Sequence, residues 1–271
     1  METTTTAAAL VLLPLVPSSV DLDGLLRRLH LPTVRRLYGE LQERAETEGL
    51  AYRDYLAVLI AEEVAHRTQT RIQRATRKAG FPFLRTIEEF DFTFQTSVRL
   101  SLLGTYLGPE LVTEGRNLIL AGRPGTVKTL LAVAIAYRAI QNGYDARFTS
   151  AADLIERLAA ASREGRLADA LTAYTHPHVL VLDEVGYLAH SPEAANVLFQ
   201  VVDHRYLHRR PMLFTTNKPL DEWGRVLHDP DLADAITDRI LERGRLIELR
   251  GTSYRTRHLQ PQSQRKHTQP G

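Results

Sequence analysis

There is no cysteine anywhere in the 271 residues. Disulfides, thiol catalysis and thiolate metal sites are therefore excluded, which is compatible with a reducing cytoplasm. Net charge is scarce too. Set against 32 Asp and Glu, 34 Lys and Arg leave a formal +2, so attraction to a polyanion must come from where the basic residues lie. Long apolar runs are also missing. The run at residues 7–16 is too short to span a bilayer. Before it stands only one charged side chain, Glu2, where a secretory signal needs basic residues. A cytoplasmic protein with no membrane partner is expected, and no internal repeat is visible. What remains is an ordinary globular composition, 44% hydrophobic and 24% charged, in a length that suits one large domain or two modest ones.

Residues 22–77 are helical in pattern. Leu25, Leu29, Leu37 and Leu41 fall on apolar faces, Pro32 breaks the first helix, and a second, longer helix ends at Gly80. The second half of that helix, residues 66–78, holds Arg67, Arg71, Arg74, Arg77 and Lys78 without one acid. Residues 81–95, rich in aromatics and punctuated by proline, read as a linker packed on its neighbour.

Beyond the linker, strand-like and helical segments alternate. Residues 117–121, 146–150, 178–184, 211–217 and 245–250 read as strands. A helix at 129–143 stops at Gly143, residue 150 supplies a helix N-cap, and another helix opens with Ser191 as N-cap and Pro192 at its first position. Near-continuous apolar strands separated by helices imply an α/β domain whose parallel sheet is covered on both faces. The expected organisation is a flexible leader at 1–21, a small helical domain with linker at 22–95, the α/β domain at 96–255, and a disordered basic tail at 256–271.

The segment from Gly122 to Leu130 follows a strand and opens a helix. It approaches the phosphate-loop pattern G-x-x-x-x-G-K-[ST]. Gly122, Arg123, Pro124, Gly125, Thr126, Val127, Lys128, Thr129 and Leu130 would surround the phosphates of ATP, with backbone N–H groups and the helix N-terminus facing them. Lys128 would reach the β/γ-phosphates and Thr129 would hold Mg²⁺. A plain strand-to-helix turn is the alternative on these residues alone.

The apolar strand ending in Asp183-Glu184 has the Walker-B form. Asp183 would organise Mg²⁺, and Glu184 would orient or deprotonate the attacking water; two solvated acids at a strand end are the bland reading. Asn217, at the end of the 211–217 strand, could orient that water or merely make a turn. Arg239, on a later helix, could act as an arginine finger on a neighbouring subunit or form a surface salt bridge to Asp238 or Glu242.

These segments, together with residues 249–255, closely resemble the IstB-like family, the ATP-binding helpers of insertion-sequence transposition, related to DnaC-type helicase loaders within the AAA+ ATPases. The resemblance runs from about residue 25 to 255. It implies a P-loop AAA+ three-layer domain behind a small all-α N-terminal domain, with Asp183 and Glu184 as Walker B, Asn217 as sensor 1 and Arg239 as the finger. It also implies a homo-oligomer that forms on double-stranded DNA with ATP and recruits an integrase-type transposase. Membership in a DNA-handling family favours phosphate contact by Arg67, Arg71, Arg74, Arg77 and Lys78, with little sequence preference, over a solvated basic face. A DnaC-like helicase loader and a non-hydrolysing DNA-binding scaffold are the alternatives.

One departure stands out. The family pattern has glycine where this chain has Val127, and a polar residue where it has Leu130. A β-branched residue there implies strain of roughly 1–3 kcal/mol and ATP use impaired by about one to two powers of ten, recoverable by Val127→Gly.

Overall fold

The computed structural model of the chain describes residues 20–186, 194–251 and 254. The helix start at Ser191 and Pro192, nearly all of the leader, and the basic tail lie outside the described residues. Two compact units divide between Thr70 and Arg71.

The first unit holds α1 (Leu22–Arg28), α2 (Pro32–Glu48) and the first part of α3 (Tyr52–Ala79) around a small core of Leu26, Val34 and Leu59. Asp21 caps α1 by accepting from Gly24 N. Pro32 stands at the first position of α2, where its missing N–H costs nothing. No local side chain caps α2. Instead the Glu63 carboxylate on α3 accepts from Thr33 N at 2.8 Å and Val34 N at 3.2 Å. Burial pushes the Glu63 pKa up, but its bond to Arg67 and the two backbone N–H groups outweigh that and hold it below the usual carboxylate range.

In the second unit the remaining elements follow in order. They are α4 (Leu100–Leu107), α5 (Glu110–Thr113), β1 (Asn117–Gly122), α6 (Lys128–Gln141), β2 (Ala146–Ser150), α7 (Ala151–Arg163), α8 (Leu167–Thr175), β3 (Val179–Asp183), α9 (Ala194–Leu207), β4 (Met212–Thr216), α10 (Trp223–Leu227), α11 (Pro230–Glu242) and β5 (Gly244–Leu249). The five strands form one sheet in the order β2-β3-β4-β1-β5, with every pairing parallel.

Successive strand side chains point to opposite faces, and here both faces are apolar. Leu118, Leu120, Val179, Val181 and Leu213 pack with α6 on one side. Ile119, Leu180, Leu182, Met212 and Phe214 pack with α7, α9, α10 and α11 on the other. The expected three-layer α/β architecture is thus present. Ser150 caps α7 by accepting from Asp153 N, as the sequence indicated. The aromatic linker is not loose: Ile87 and Phe90 are buried beside α6. Short helices α4, α5, α8 and α10 carry too few turns for periodicity to separate them from loops.

One buried cation ties the lower ends of the strands. Arg205 on α9 is fully buried and donates to the carbonyls of Tyr174, Pro177, His178 and Pro211 at 2.7–3.0 Å. These carbonyls belong to the last turn of α8 and to the segments that lead into β3 and β4. Desolvation, with the nearby charge of Arg210 adding to it, pushes the Arg205 pKa down to about 9. Arg205→Met keeps the volume but leaves the carbonyls without a donor. It is expected to destabilise the protein by about 3–5 kcal/mol, read from urea unfolding followed by the emission of the single Trp223. A loss under about 1 kcal/mol would show that water replaces the guanidinium.

Candidate nucleotide site

β1 ends in Gly122, whose φ is +155, and a Cβ there would lie 2.4 Å from the Leu249 carbonyl of β5. Only glycine fits. The chain then turns through residues 123–127 into α6. Carbonyls of this loop are engaged inside the protein. Lys128 Nζ donates to Gly122 O at 2.8 Å and to Arg123 O at 3.0 Å. Thr126 Oγ1 donates to Arg123 O at 2.7 Å, Tyr254 N to Gly125 O at 3.0 Å, and Gln95 Nε2 to Thr126 O at 3.3 Å. The N–H groups in the first turn of α6 have no intrahelical acceptor, so the loop presents donors to an anion.

Val127 is the N-cap of α6 in the left-handed conformation, φ 60 and ψ 22. A second non-glycine residue in that region, Glu184 with φ 59, stands just past β3. Such residues cost about 1–3 kcal/mol each and cluster at functional sites.

The register of the sheet gathers the remaining groups. Ala121 pairs with Thr216, so Asn217 falls beside Gly122. Asp183, at the end of β3, accepts at Oδ1 from Thr129 Oγ1 (2.8 Å) and from Thr215 Oγ1 (2.5 Å). The same Thr215 hydroxyl accepts from Glu184 N at 2.9 Å. One buried hydroxyl therefore fixes both acids. Asn217 Oδ1 is buried and has no hydrogen-bond partner among the described residues. Lys128, Thr129, Asp183, Glu184 and Asn217 line one cleft of about 360 Å³, joined by Pro124, Gly125, Val127 and Leu130, with Pro82 and Phe83 as an apolar wall. Arg123 and Gly122 instead line a neighbouring cleft that shares Asn217. Thr126 is buried beneath the loop.

Arg239 lies away from this cleft. Its Nε donates to Asp203 Oδ1 at 2.9 Å, and its guanidinium stacks 4.7 Å from the Phe199 ring centre. The ion-pair partner differs from the Asp238 or Glu242 expected locally, because α11 packs along α9 and brings Asp203 within reach.

The basic residues of α3 also divide. Arg67 pairs with Glu63 at 2.8 Å and reaches the His30 carbonyl, while Arg71 donates to Ile140 O at the end of α6. Arg74, Arg77 and Lys78 are exposed. Sequence reasoning missed Gln95, Thr215 and the role of Tyr254. The paired threonines of the 211–217 strand were the visible signal for Thr215; nothing local marked Gln95.

A five-stranded parallel sheet in the order β2-β3-β4-β1-β5, with a phosphate-type loop after the inner strand β1 and an Asp-Glu pair at the end of β3, defines a P-loop AAA+ protein. Within that class, the chain belongs to the family of IstB-like ATP binding proteins, whose model matches residues 24–262. It is 36% identical to the insertion sequence IS5376 ATP-binding protein of Geobacillus stearothermophilus, aligned over 89% of this chain and 96% of that one. It is 34% identical to the IS21 ATP-binding protein of Pseudomonas aeruginosa, over 87% of this chain and 88% of that one. The fold resembles that of DnaI, with a TM-score of 0.53 at 21% identity over 61% of this chain and 90% of DnaI. It also resembles AMPPCP-bound DnaA from Aquifex aeolicus, with a TM-score of 0.52 at 20% identity over 65% of this chain and 54% of that one. Among the described residues, no helix is long and apolar enough to cross a membrane.

Thr215→Val preserves shape but removes the hydroxyl that serves Asp183 and Glu184. The variant should lose about 1–3 kcal/mol of stability, measured by urea unfolding. An unchanged midpoint would mean that the two acids hold their places without it.

Proposed function

We propose that this chain is an ATPase that helps insertion-sequence transposition: it binds ATP with Mg²⁺, assembles with its own copies on double-stranded DNA, and recruits and stimulates an integrase-type transposase. The observation that carries the nucleotide half is the meeting of Lys128, Thr129, Asp183, Glu184 and the unpartnered Asn217 Oδ1 in one cleft. The names of the insertion-sequence relatives support the transposition half.

The residues present suit Mg²⁺, which takes one or two protein oxygens and keeps water and phosphate for the rest. Thr129 and Asp183, already 2.8 Å apart, would hold it. Bound Mg²⁺ would offset charge that develops on the phosphates. Lys128 would exchange loop carbonyls for phosphate oxygens. Glu184, exposed at the cleft and anchored through its N–H, would take the proton of the attacking water. Asn217 would orient that water from the neighbouring strand. Arg239 could serve only a neighbouring subunit's site, and would have to leave Asp203 to do so.

The left-handed Val127 changes where its strain acts. The loop holds Val127 in the left-handed region through contacts made inside the protein, so part of the roughly 1–3 kcal/mol is offset by the fold rather than by ATP. Val127 and Leu130 also pack against the core beside α6, which offsets part of it. On this reading ATP binding is less impaired than the sequence pattern implies.

ATP affinity and turnover, measured with and without double-stranded DNA, test the proposal. Glu184→Gln should keep binding within about threefold and lower turnover by about 10²-fold or more. Binding without turnover in the unaltered chain would favour the non-hydrolysing scaffold, and capture of a replicative helicase in place of a transposase would favour a loader. For DNA, Arg74, Arg77 and Lys78 are the groups to remove, since Arg67 and Arg71 have internal partners. Changing all three to Ala should weaken every sequence alike and flatten the salt dependence by about one unit per lost contact. An unchanged salt slope would return this face to solvent.

A further inference from the structure

A strand-to-helix turn does not by itself force a valine into the left-handed region, which β-branched residues avoid. Two hydrogen bonds hold the peptides just before Val127. Tyr254 N donates to Gly125 O at 3.0 Å, and Gln95 Nε2 donates to Thr126 O at 3.3 Å. The second acts on the very peptide whose nitrogen belongs to Val127. Turning that peptide over would carry Thr126 O away from Gln95 and release Val127 from φ 60.

Gln95 is itself tightly set. Only 2% of it is exposed, so water cannot readily replace its contacts. Arg250 N donates to Ser97 Oγ at 3.1 Å, and the single hydroxyl hydrogen of Ser97 goes to Gln95 Oε1 at 3.1 Å. The Thr126 carbonyl can only accept, so the amide nitrogen of Gln95 faces it and Oε1 faces the Ser97 hydroxyl. A chain of hydrogen bonds thus runs from the end of β5, through Ser97 and Gln95, into the phosphate loop.

We infer that Gln95 is a positioning residue for the loop: it locks the peptide between Thr126 and Val127 in the orientation that nucleotide binding needs, and so makes a valine workable where the motif has glycine. The inference rests on the ATP-binding reading above. A glycine in place of Val127 would not need the lock, because it enters the left-handed region as readily as any other. The dependence on Gln95 should therefore be specific to valine.

A double-mutant cycle on the full chain tests this, using the unaltered chain, Gln95→Ala, Val127→Gly and the pair. The first readout is equilibrium binding of a fluorescent ATP analogue with Mg²⁺. Val127→Gly alone sets the reference affinity for the second half of the cycle. Gln95→Ala should weaken binding by about tenfold or more when Val127 is present, and by less than about threefold in the Val127→Gly background. The second readout needs no nucleotide. Amide hydrogen exchange over residues 122–131 should quicken by about fivefold or more on Gln95→Ala when Val127 is present, and little in the Val127→Gly background. Gln95→Glu, which sets an acceptor against the Thr126 carbonyl, should match or exceed the Ala effect. Trp223 emission reports that each variant is folded, and Ser97→Ala, which frees the carboxamide without touching the loop, carries the same cycle should Gln95→Ala unfold.

Equal effects in both backgrounds would overturn the inference. Valine-specific exchange in proteins that bind no nucleotide would uphold the positioning role and sink the ATP-binding reading instead.

Discussion

The parallel pairing of β1 with β4 on one side and β5 on the other is the constraint on which everything else depends. Pairing Ala121 with Thr216 and Gly122 with Leu249 sets the ends of three strands level. The phosphate loop can leave β1 only because Gly122 lets it pass the Leu249 carbonyl. Asn217 arrives at the same level because its strand is in register with β1, and Asp183 because β3 pairs in turn with β4. A slip of one residue in any of these pairings would exchange the two apolar faces of that strand and remove its polar end residue from the cleft. Both faces are covered by helices, so the register is fixed by packing on two sides at once.

Buried polar groups secure that register at the opposite ends of the strands. Asn117, at the start of β1, donates from Nδ2 to Ile240 O and accepts at Oδ1 from Met212 N, so it pins β1 to both α11 and β4. Tyr106 donates to the Asn117 carbonyl from α4. Arg205 gathers the end of α8 and the segments that lead into β3 and β4. Each is satisfied by groups distant in sequence, which makes the arrangement specific: an unpaired polar group at such depth is costly, so few other packings would serve.

Among the described residues, two of the five non-glycine residues with left-handed backbone stand at the other ends of the strands, where the chemistry is proposed. Val127 and Glu184 both take left-handed backbone within one cleft, and each is tied down by a neighbour's side chain or main chain. The strained residues are held by the scaffold beneath them through hydrogen bonds from Gln95 and to Thr215. Preorganisation of this kind lets donors and acids act without first rearranging.

The amino-acid sequence by itself determined the α/β layering, the approximate bounds of all five strands, and the identity of Lys128, Thr129, Asp183 and Asn217 as a group worth bringing together. These follow from local physics: apolar runs of strand length, glycine stops, an N-cap at Ser150, and motif spacing. Tertiary structure decided what local spacing cannot express. It paired Arg239 with Asp203 across two helices, assigned Arg67 to Glu63 and Arg71 to the end of α6, and left Arg74, Arg77 and Lys78 exposed. It also put Gln95 under the phosphate loop from 31 residues away and set Thr215 between the two acids. A hydrogen bond between residues far apart in the chain leaves no periodic trace. Its partners are chosen only when the sheet and its helices close around them.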